Sequence, residues 1–528
     1  MAIYKLLFTD FGRAAEYVWQ LELLTCARLA VVTAGVLLVS YVFYSLYLSP
    51  YRRIPGRLLY RLSSLPSRLV MLLGQLPDVS EADYFKFGDI FMMRPDIVIL
   101  SNPADCRTVL STHKFAKSDM YKAFALIDET MFTTHSAELT HVRRRQIGPA
   151  FTPGYLNEME PIILECGIHA IRAKWDKEIA QSATSGSAVV NYGLHFSMVT
   201  FDVFGALGYG QRFNALRDNN TKLVDWVNDF NKLAIINMVY DRVLSFPANL
   251  LVRRLIQSRD EFVAFGNAAA QYRREQLRRG EIEKPKDLLQ ILIDGQDPES
   301  KVQMTPTQIT AENISLLVGG TDTTSLTMSW TLHYLMLYPD VYRRATEEVR
   351  TAFPRHYTIN YAEGKTHLPY IDACINEALR IRAASGVPLP RVVPEGGATF
   401  QGHYLPAGTL VGVNIGGANH HQETWTNPRR FMPERFLDNE KAKHNLLTFS
   451  SGVRICPGRN VAHYEIMTII ANVLKDYDFA VPTDALFTPE RLDEHGNPVV
   501  MPRTHCLSVG PRYPERDCRI VISSAPEY

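Results

Sequence analysis

At 528 residues, 46% hydrophobic and 21% charged, the chain has the composition of a globular protein with a sizeable core. Its net charge of +1 excludes a whole-chain electrostatic pull towards nucleic acid or an acidic partner, so any basic docking surface must be local. The seven cysteines (Cys26, Cys106, Cys166, Cys374, Cys456, Cys506 and Cys518) contain no C-x-x-C pair, which argues against a disulfide framework or structural zinc and for a reducing compartment.

From Leu29 to Tyr51 there is no charged residue, a run long enough at 1.5 Å per residue to cross ~30 Å of hydrocarbon. It starts too late, is too long and lacks the A-x-A site of a cleaved signal peptide. Arg52, Arg53, Arg57, Arg61 and Arg68 follow with no acid before Asp78. Lys5, Arg13 and Arg28 precede it, interleaved with Asp10, Glu16 and Glu22. The positive flank stays cytoplasmic. Residues 1–28 therefore read as a lumenal N-terminus, 29–51 as a transmembrane anchor, 52–69 as a basic, proline-marked linker and 70–528 as a cytosolic body. Beyond residue 70 the polar breaks Ser182–Ser187 and Asp294–Ser300 are loop-sized, which predicts a single domain.

Thr305-Pro306-Thr307-Gln308 is a capping box with proline at the first helical position, and the helical pattern runs on to about Tyr338. Inside it stand Gly319, Gly320, Thr321, Asp322, Thr323 and Thr324. Two adjacent glycines in a helix cost about 1 kcal/mol each relative to alanine, so some group is expected to approach the backbone there. A Thr323 hydroxyl bonded to the carbonyl one turn back would open the helix locally. On the residues alone, a packed glycine pair with a satisfied threonine is an equal reading. Pro339 starts another helix, and Pro369 opens a third with Ile371, Cys374, Ile375, Ala378 and Leu379 on one face. Glu377 and Arg380, three apart on that helix, can pair. Residues 391–413 read as short strands, 459–475 as a helix with Ile466, Ile469, Ile470, Val473 and Leu474 buried, and the last fifty residues as strands and loops. The predicted class is mainly α with a small β-rich region.

Before the last of these helices comes Phe449-Ser-Ser-Gly452-Val-Arg454-Ile-Cys456-Pro-Gly458. Glycines at 452 and 458 let the backbone turn around the sulfur, and the following helix points its positive end at a thiolate. This stretch resembles the F-x-x-G-x-R-x-C-x-G loop of the cytochrome P450 family at every fixed position, and three further signatures of that family stand upstream in order. The resemblance covers roughly residues 50 to 520. It implies a single cytochrome P450 fold after the anchor, with haem b (iron protoporphyrin IX) as cofactor and Cys456 as the iron ligand.

Carried over residue by residue, the resemblance gives each signature a role. Phe449, Gly452 and Gly458 belong to the ligand loop, and Gly319 and Gly320 face the haem. Asp322 and Thr323 form the acid–alcohol pair that delivers protons to dioxygen. Glu377, Arg380 and Arg435, the last from Pro433-Glu434-Arg435-Phe436, form a buried structural triad. Arg391, Arg454 and Arg144 clamp the haem propionates. Aligning on Ala150-Phe151 places Arg144 at the clamp but Thr140 where the family has Trp or His; a one-residue shift gives His141 and Arg145 instead. Arg143 and the remaining arginine read as solvated residues that dock a redox partner.

The implied activity is NADPH- and O2-dependent insertion of one oxygen atom into a hydrophobic small molecule. Electrons would come from NADPH–cytochrome P450 reductase at the endoplasmic reticulum membrane, since the chain carries no flavin or nicotinamide fingerprint. Residues around 115–135, 225–250, 311–319, 384–390 and near 500 are expected over the haem. Phrases such as Leu405-Pro-Ala-Gly-Thr409 look like fungal enzymes of secondary metabolism. A haem-thiolate isomerase or dehydratase, and a non-enzymatic haem sensor, are the alternatives.

Overall fold

The computed structural model describes Trp19, residues 25–184 and residues 186–527. Helix α1, Thr25–Leu48, is 24 residues long, and its apolar window is wholly unburied. It ends three residues before the expected span 29–51 because the residue ahead of a proline is pushed out of helical geometry: Ser49, before Pro50, has ψ 142°. Most of the expected lumenal stretch 1–28 lies outside the described residues.

Residues 52–69, expected as a linker, are instead part of the body. Ile54 and Tyr60 are buried. The Met92 N–H donates to the Pro55 carbonyl at 2.8 Å, and the Tyr41 hydroxyl of α1 donates to the Leu62 carbonyl at 2.9 Å. The apolar side chains among the arginines, not the arginines themselves, decide where this segment lies.

The strands are short. β1 (Ile90–Arg94), β2 (Ile97–Leu100), β4 (Pro388–Val392) and β7 (Leu410–Asn414) form one sheet in the order β1-β2-β7-β4. β3 (Ser187–Asn191), β8 (Tyr477–Ala480) and β11 (Arg519–Ser524) form another with β11 central. β5 (Ala398–Phe400) with β6 (His403–Leu405), and β9 (Arg503–Cys506) with β10 (Ser508–Pro511), are hairpins. The strand-rich reading of 391–413 and of the C-terminal stretch therefore holds.

The helices include α2 (Ala137–Ile147), α3 (Tyr192–Tyr209), α4 (Lys222–Val239), α5 (Pro306–Leu337), α6 (Pro369–Ile381) and α7 (Arg459–Asp476). The capping box of α5 forms in both directions, Gln308 N–H to Thr305 Oγ1 at 3.2 Å and Thr305 N–H to Gln308 Oε1 at 3.1 Å. This helix is rich in Ser and Thr yet buried for most of its length. Its hydroxyls are satisfied by carbonyls one turn back, as in Thr321 to Leu317, Thr327 to Thr323, Ser329 to Ser325 and Thr331 to Thr327, each at 2.8 Å. The apolar faces predicted for α6 and α7 are buried and share one core cluster with α3 and the C-terminal half of α5. The mainly α class with a small β-rich region stands.

Candidate functional site

Between Phe449 and α7 the chain forms a tight loop with a single 3-10 turn at Gly452–Arg454. The Cys456 N–H donates to the Phe449 carbonyl at 2.9 Å, and the Ile455 N–H to the Gly452 carbonyl at 3.1 Å. Gly452 has φ +56°, and a Cβ there would stand 2.5 Å from Ser111 Cα, so glycine is required twice over. Gly458 is different. Its φ is −79°, open to any residue, and a Cβ would come only within 4.0 Å of Cys456 Sγ. The expected turning role of Gly458 is thus replaced by a simpler one: it leaves the space beside the sulfur free.

Cys456 opens onto a cavity of about 480 Å³ enclosed by α2, α3, α4, α5, α7 and the tip of the β9–β10 hairpin. Burial pushes its thiol up. The Gly458 N–H, the Arg144 and Arg459 guanidinium groups and the Arg459 N–H pull it back towards the thiolate. Phe449 also lines the cavity and packs against His463 with ring centroids 5.2 Å apart.

Three arginines share the wall: Arg144 of α2, Arg391 of β4 and Arg454 of the cysteine loop. Arg144 Nη2 donates to the Ile455 carbonyl at 2.6 Å, and Arg391 Nη1 to the Tyr121 hydroxyl at 2.8 Å. The Nε of all three is buried without a hydrogen-bond partner. Burial and the neighbouring Arg391 push Arg454 down to about 10. Clustered guanidinium groups with unfilled donors fit an anionic group bearing carboxylates in the same space. Of the two registers open for α2, Thr140 and Arg144 both stand on the cavity wall. His141 is exposed, its ring tilted against that of His113 with centroids 4.7 Å apart. Of the other two arginines, Arg143 is not the solvated residue expected, whereas Arg145 is partly exposed. Arg143 is 1% exposed, 3.3 Å from Glu312, and Arg145 makes a bidentate pair with Asp297 at 2.6 and 3.0 Å.

Opposite them, α5 passes with Gly319, Gly320 and Thr323 on the wall. A Cβ on Gly319 would meet nothing within 4 Å, whereas one on Gly320 would press Phe204 of α3 at 3.3 Å. Thr323 Oγ1 donates to the Gly319 carbonyl at 2.6 Å, the bond expected from sequence. The expected local opening does not follow, because the helix winds on unbroken. Asp322 is not on the cavity wall. Burial pushes its carboxyl up to about 6, and the Ser508 hydroxyl of β10 holds it down.

The sequence pattern described as Cytochrome P450 matches residues 71–503. The chain belongs to the cytochrome P450 family. Among similar proteins, Cytochrome P450 monooxygenase helB1 of Aspergillus fumigatus is 39% identical over 478 residues, covering 90% of this chain and 82% of that protein. Cytochrome P450 monooxygenase helB3 of the same fungus is 39% identical over 487 residues, covering 91% and 95%. Cytochrome P450 monooxygenase BipB of Cochliobolus sativus is 28% identical over 473 residues, covering 86% and 91%. The chain is accordingly an oxidoreductase of the P450 monooxygenase type, a family that carries haem.

Away from the cavity, this P450 brings Glu377, Arg380 and Arg435 together. Glu377 and Arg380 are both fully buried, with bonds of 2.7 and 2.8 Å, and Arg435 Nε reaches Glu377 Oε1 at 3.0 Å.

Among the charged cavity residues that the sequence reading did not name are Lys117, Glu312 and Glu465. Lys117 donates to the Met131 and Phe132 carbonyls at 3.0 and 2.6 Å; burial and the three arginines push it down to about 6. Nothing in its sequence context marks it. Glu312 accepts the Met131 N–H at 2.7 Å and is pushed up to about 7 by burial. Apart from Asp322 it is the one acid of α5, a signal that was available.

Glu465 is buried on α7 with Oε2 unpartnered, and burial pushes it up to about 8. Because the folded state favours its neutral form, its contribution to stability is fully present below the ordinary carboxylate range and is lost progressively as pH rises from there to about 8. Glu465→Gln should flatten that fall, from mildly acid pH up to about 8, in thermal unfolding of the holoenzyme. An unchanged pH dependence would show that Glu465 is ionised without penalty.

Proposed function

We propose that this P450 holds haem b through Cys456 and, with NADPH, O2 and a membrane-bound NADPH–cytochrome P450 reductase, inserts one oxygen atom into a hydrophobic small molecule. The observation that carries this reading is convergence: a cysteine sulfur, three arginines with unfilled donors and Thr323 meet on one cavity. The five segments expected over the haem each place residues in its wall, among them Phe124, Phe230, Ile235, Leu389 and Leu507. Those apolar side chains exclude water and suit an apolar substrate.

When bound, the haem supplies a thiolate-ligated iron whose electron-rich character favours O–O cleavage. Arg144, Arg391 and Arg454 bind its carboxylates and fix its orientation. Phe449 shields the sulfur, while the Gly458 N–H and the α7 dipole keep it charged. Thr323, with Asp322 one residue before it, would hold and pass protons at the α5 wall of the cavity.

A membrane setting at the endoplasmic reticulum, with the body cytosolic, is supported by α1 and by the exposed apolar side chains of Leu58, Leu59, Leu65 and Leu69 beside it. The fungal relatives support a place in secondary metabolism.

The test is expression in reductase-containing microsomes with NADPH, screening candidate metabolites for a mass gain of one oxygen. Product formed equally well without NADPH would move the assignment to an isomerase or dehydratase.

A further inference from the structure

The acid of the proposed proton pair is held by a part of the chain far from its own helix. β10 runs along α5 in step with it. His333 Nε2 accepts the Met501 N–H at 3.2 Å just ahead of β9, and a Cβ on Gly510 would stand 2.8 Å from the Leu326 side chain. One step back along both elements brings Ser508 to Asp322. Residues two apart on a strand share a face ~6.6 Å apart, and residues four apart on a helix share one ~6 Å apart. The Trp330 side chain, leaning back along α5, donates Nε1–H to the Val509 carbonyl at 3.2 Å and fixes this register. The one-residue turn at Leu507, with φ +70°, then aims the hairpin tip at the cavity. Ser508 lines that cavity and Asp322 does not.

We propose that Ser508 is the positioning residue for Asp322: its hydroxyl donates to the carboxylate, sets its orientation and decides at what pH it carries charge. This rests on the reading that Asp322 and Thr323 deliver protons. The surroundings leave Ser508 little competition. From β9 the Cys506 thiol faces Asp322, kept protonated because burial pushes it up to about 12. On α4, Lys232 and Asp229, whose charges reach Cys506, lie 3.8 Å apart and offset one another. α3 turns Phe204 towards this stretch of α5. His505, also from β9, is buried and pushed down to about 4, hence neutral.

The test uses the full-length ferric enzyme with haem bound. The carboxylic-acid C=O stretch of Asp322 is followed by infrared titration, with Asp322→Asn as the blank. Ser508→Ala removes the donor that stabilises the charged form, so the band should persist to higher pH than in the wild type, and Ser508→Thr should restore it. During turnover with reductase and NADPH, Ser508→Ala should release several-fold more hydrogen peroxide per NADPH, again rescued by Thr. If Asp322→Asn releases extra peroxide while Ser508→Ala titrates and couples like the wild type, the Ser508 assignment is overturned and the proton pair stands. If Asp322→Asn couples normally, the proton-pair reading falls and this assignment falls with it.

Discussion

Cys456→Ser should give a protein without the thiolate signature in its carbon-monoxide difference spectrum and without NADPH-dependent oxidation. A serine oxygen cannot donate the electron density that a thiolate does, and the loop has no other sulfur to offer. Of the cysteines in the described residues, Cys456 alone lines the cavity; Cys106, Cys374 and Cys518 are buried elsewhere. The competing ligand inside the cavity is His505, whose imidazole is neutral and therefore chemically competent. His505→Ala must leave the thiolate spectrum in place. If Cys456→Ser keeps that spectrum, or His505→Ala loses it, the cysteine is not the ligand.

The second large effect is expected far from the cavity. Glu377→Gln should destabilise the fold by roughly 3–5 kcal/mol, because it strips a fully buried arginine of its counter-charge. Glu377 carries more than Arg380: its Oε1 also accepts the Met432 N–H at 2.9 Å and Arg435 Nε at 3.0 Å. Arg380 keeps only the Asn419 carbonyl at 2.8 Å, the Arg430 carbonyl at 3.4 Å and the Trp425 ring at 5.3 Å. The exposed pair of Arg278 and Glu275, equally short at 2.7 Å, is the control, since solvent screens such a pair and its loss should leave stability unchanged. Denaturant unfolding of both variants decides the matter. A loss below about 1 kcal/mol for Glu377→Gln would mean the triad is solvated in solution.

How far these residues could be found in the sequence depended on the range over which each is determined. α6 and α7 declare themselves because a buried helix face repeats every three to four residues, and the α5 capping box is written in four consecutive positions. Residues 52–69 misled because charge is conspicuous in a sequence, whereas the burial of Ile54 and Tyr60 depends on a sheet completed by residues near 410. The same holds for Arg143. Its partner Glu312 is 169 positions away, and no local rule joins them. The α2 register stayed open for a related reason: two neighbouring arginines look alike until Asp297 claims Arg145 and the Ile455 carbonyl claims Arg144. Asp322 could be picked out by its neighbours, but its aim is set by a hairpin nearly two hundred residues later.

The clasp on the cysteine loop has a bearing on biosynthesis. Gly452 fits against the Ser111 backbone, and the Ile455 carbonyl is gripped by Arg144, 311 positions earlier. The ribosome therefore makes the grip long before the part that is gripped. Retention of the prosthetic group becomes a late event of translation, so a nascent chain stalled before the loop should emerge colourless even though most of its helices have already been made.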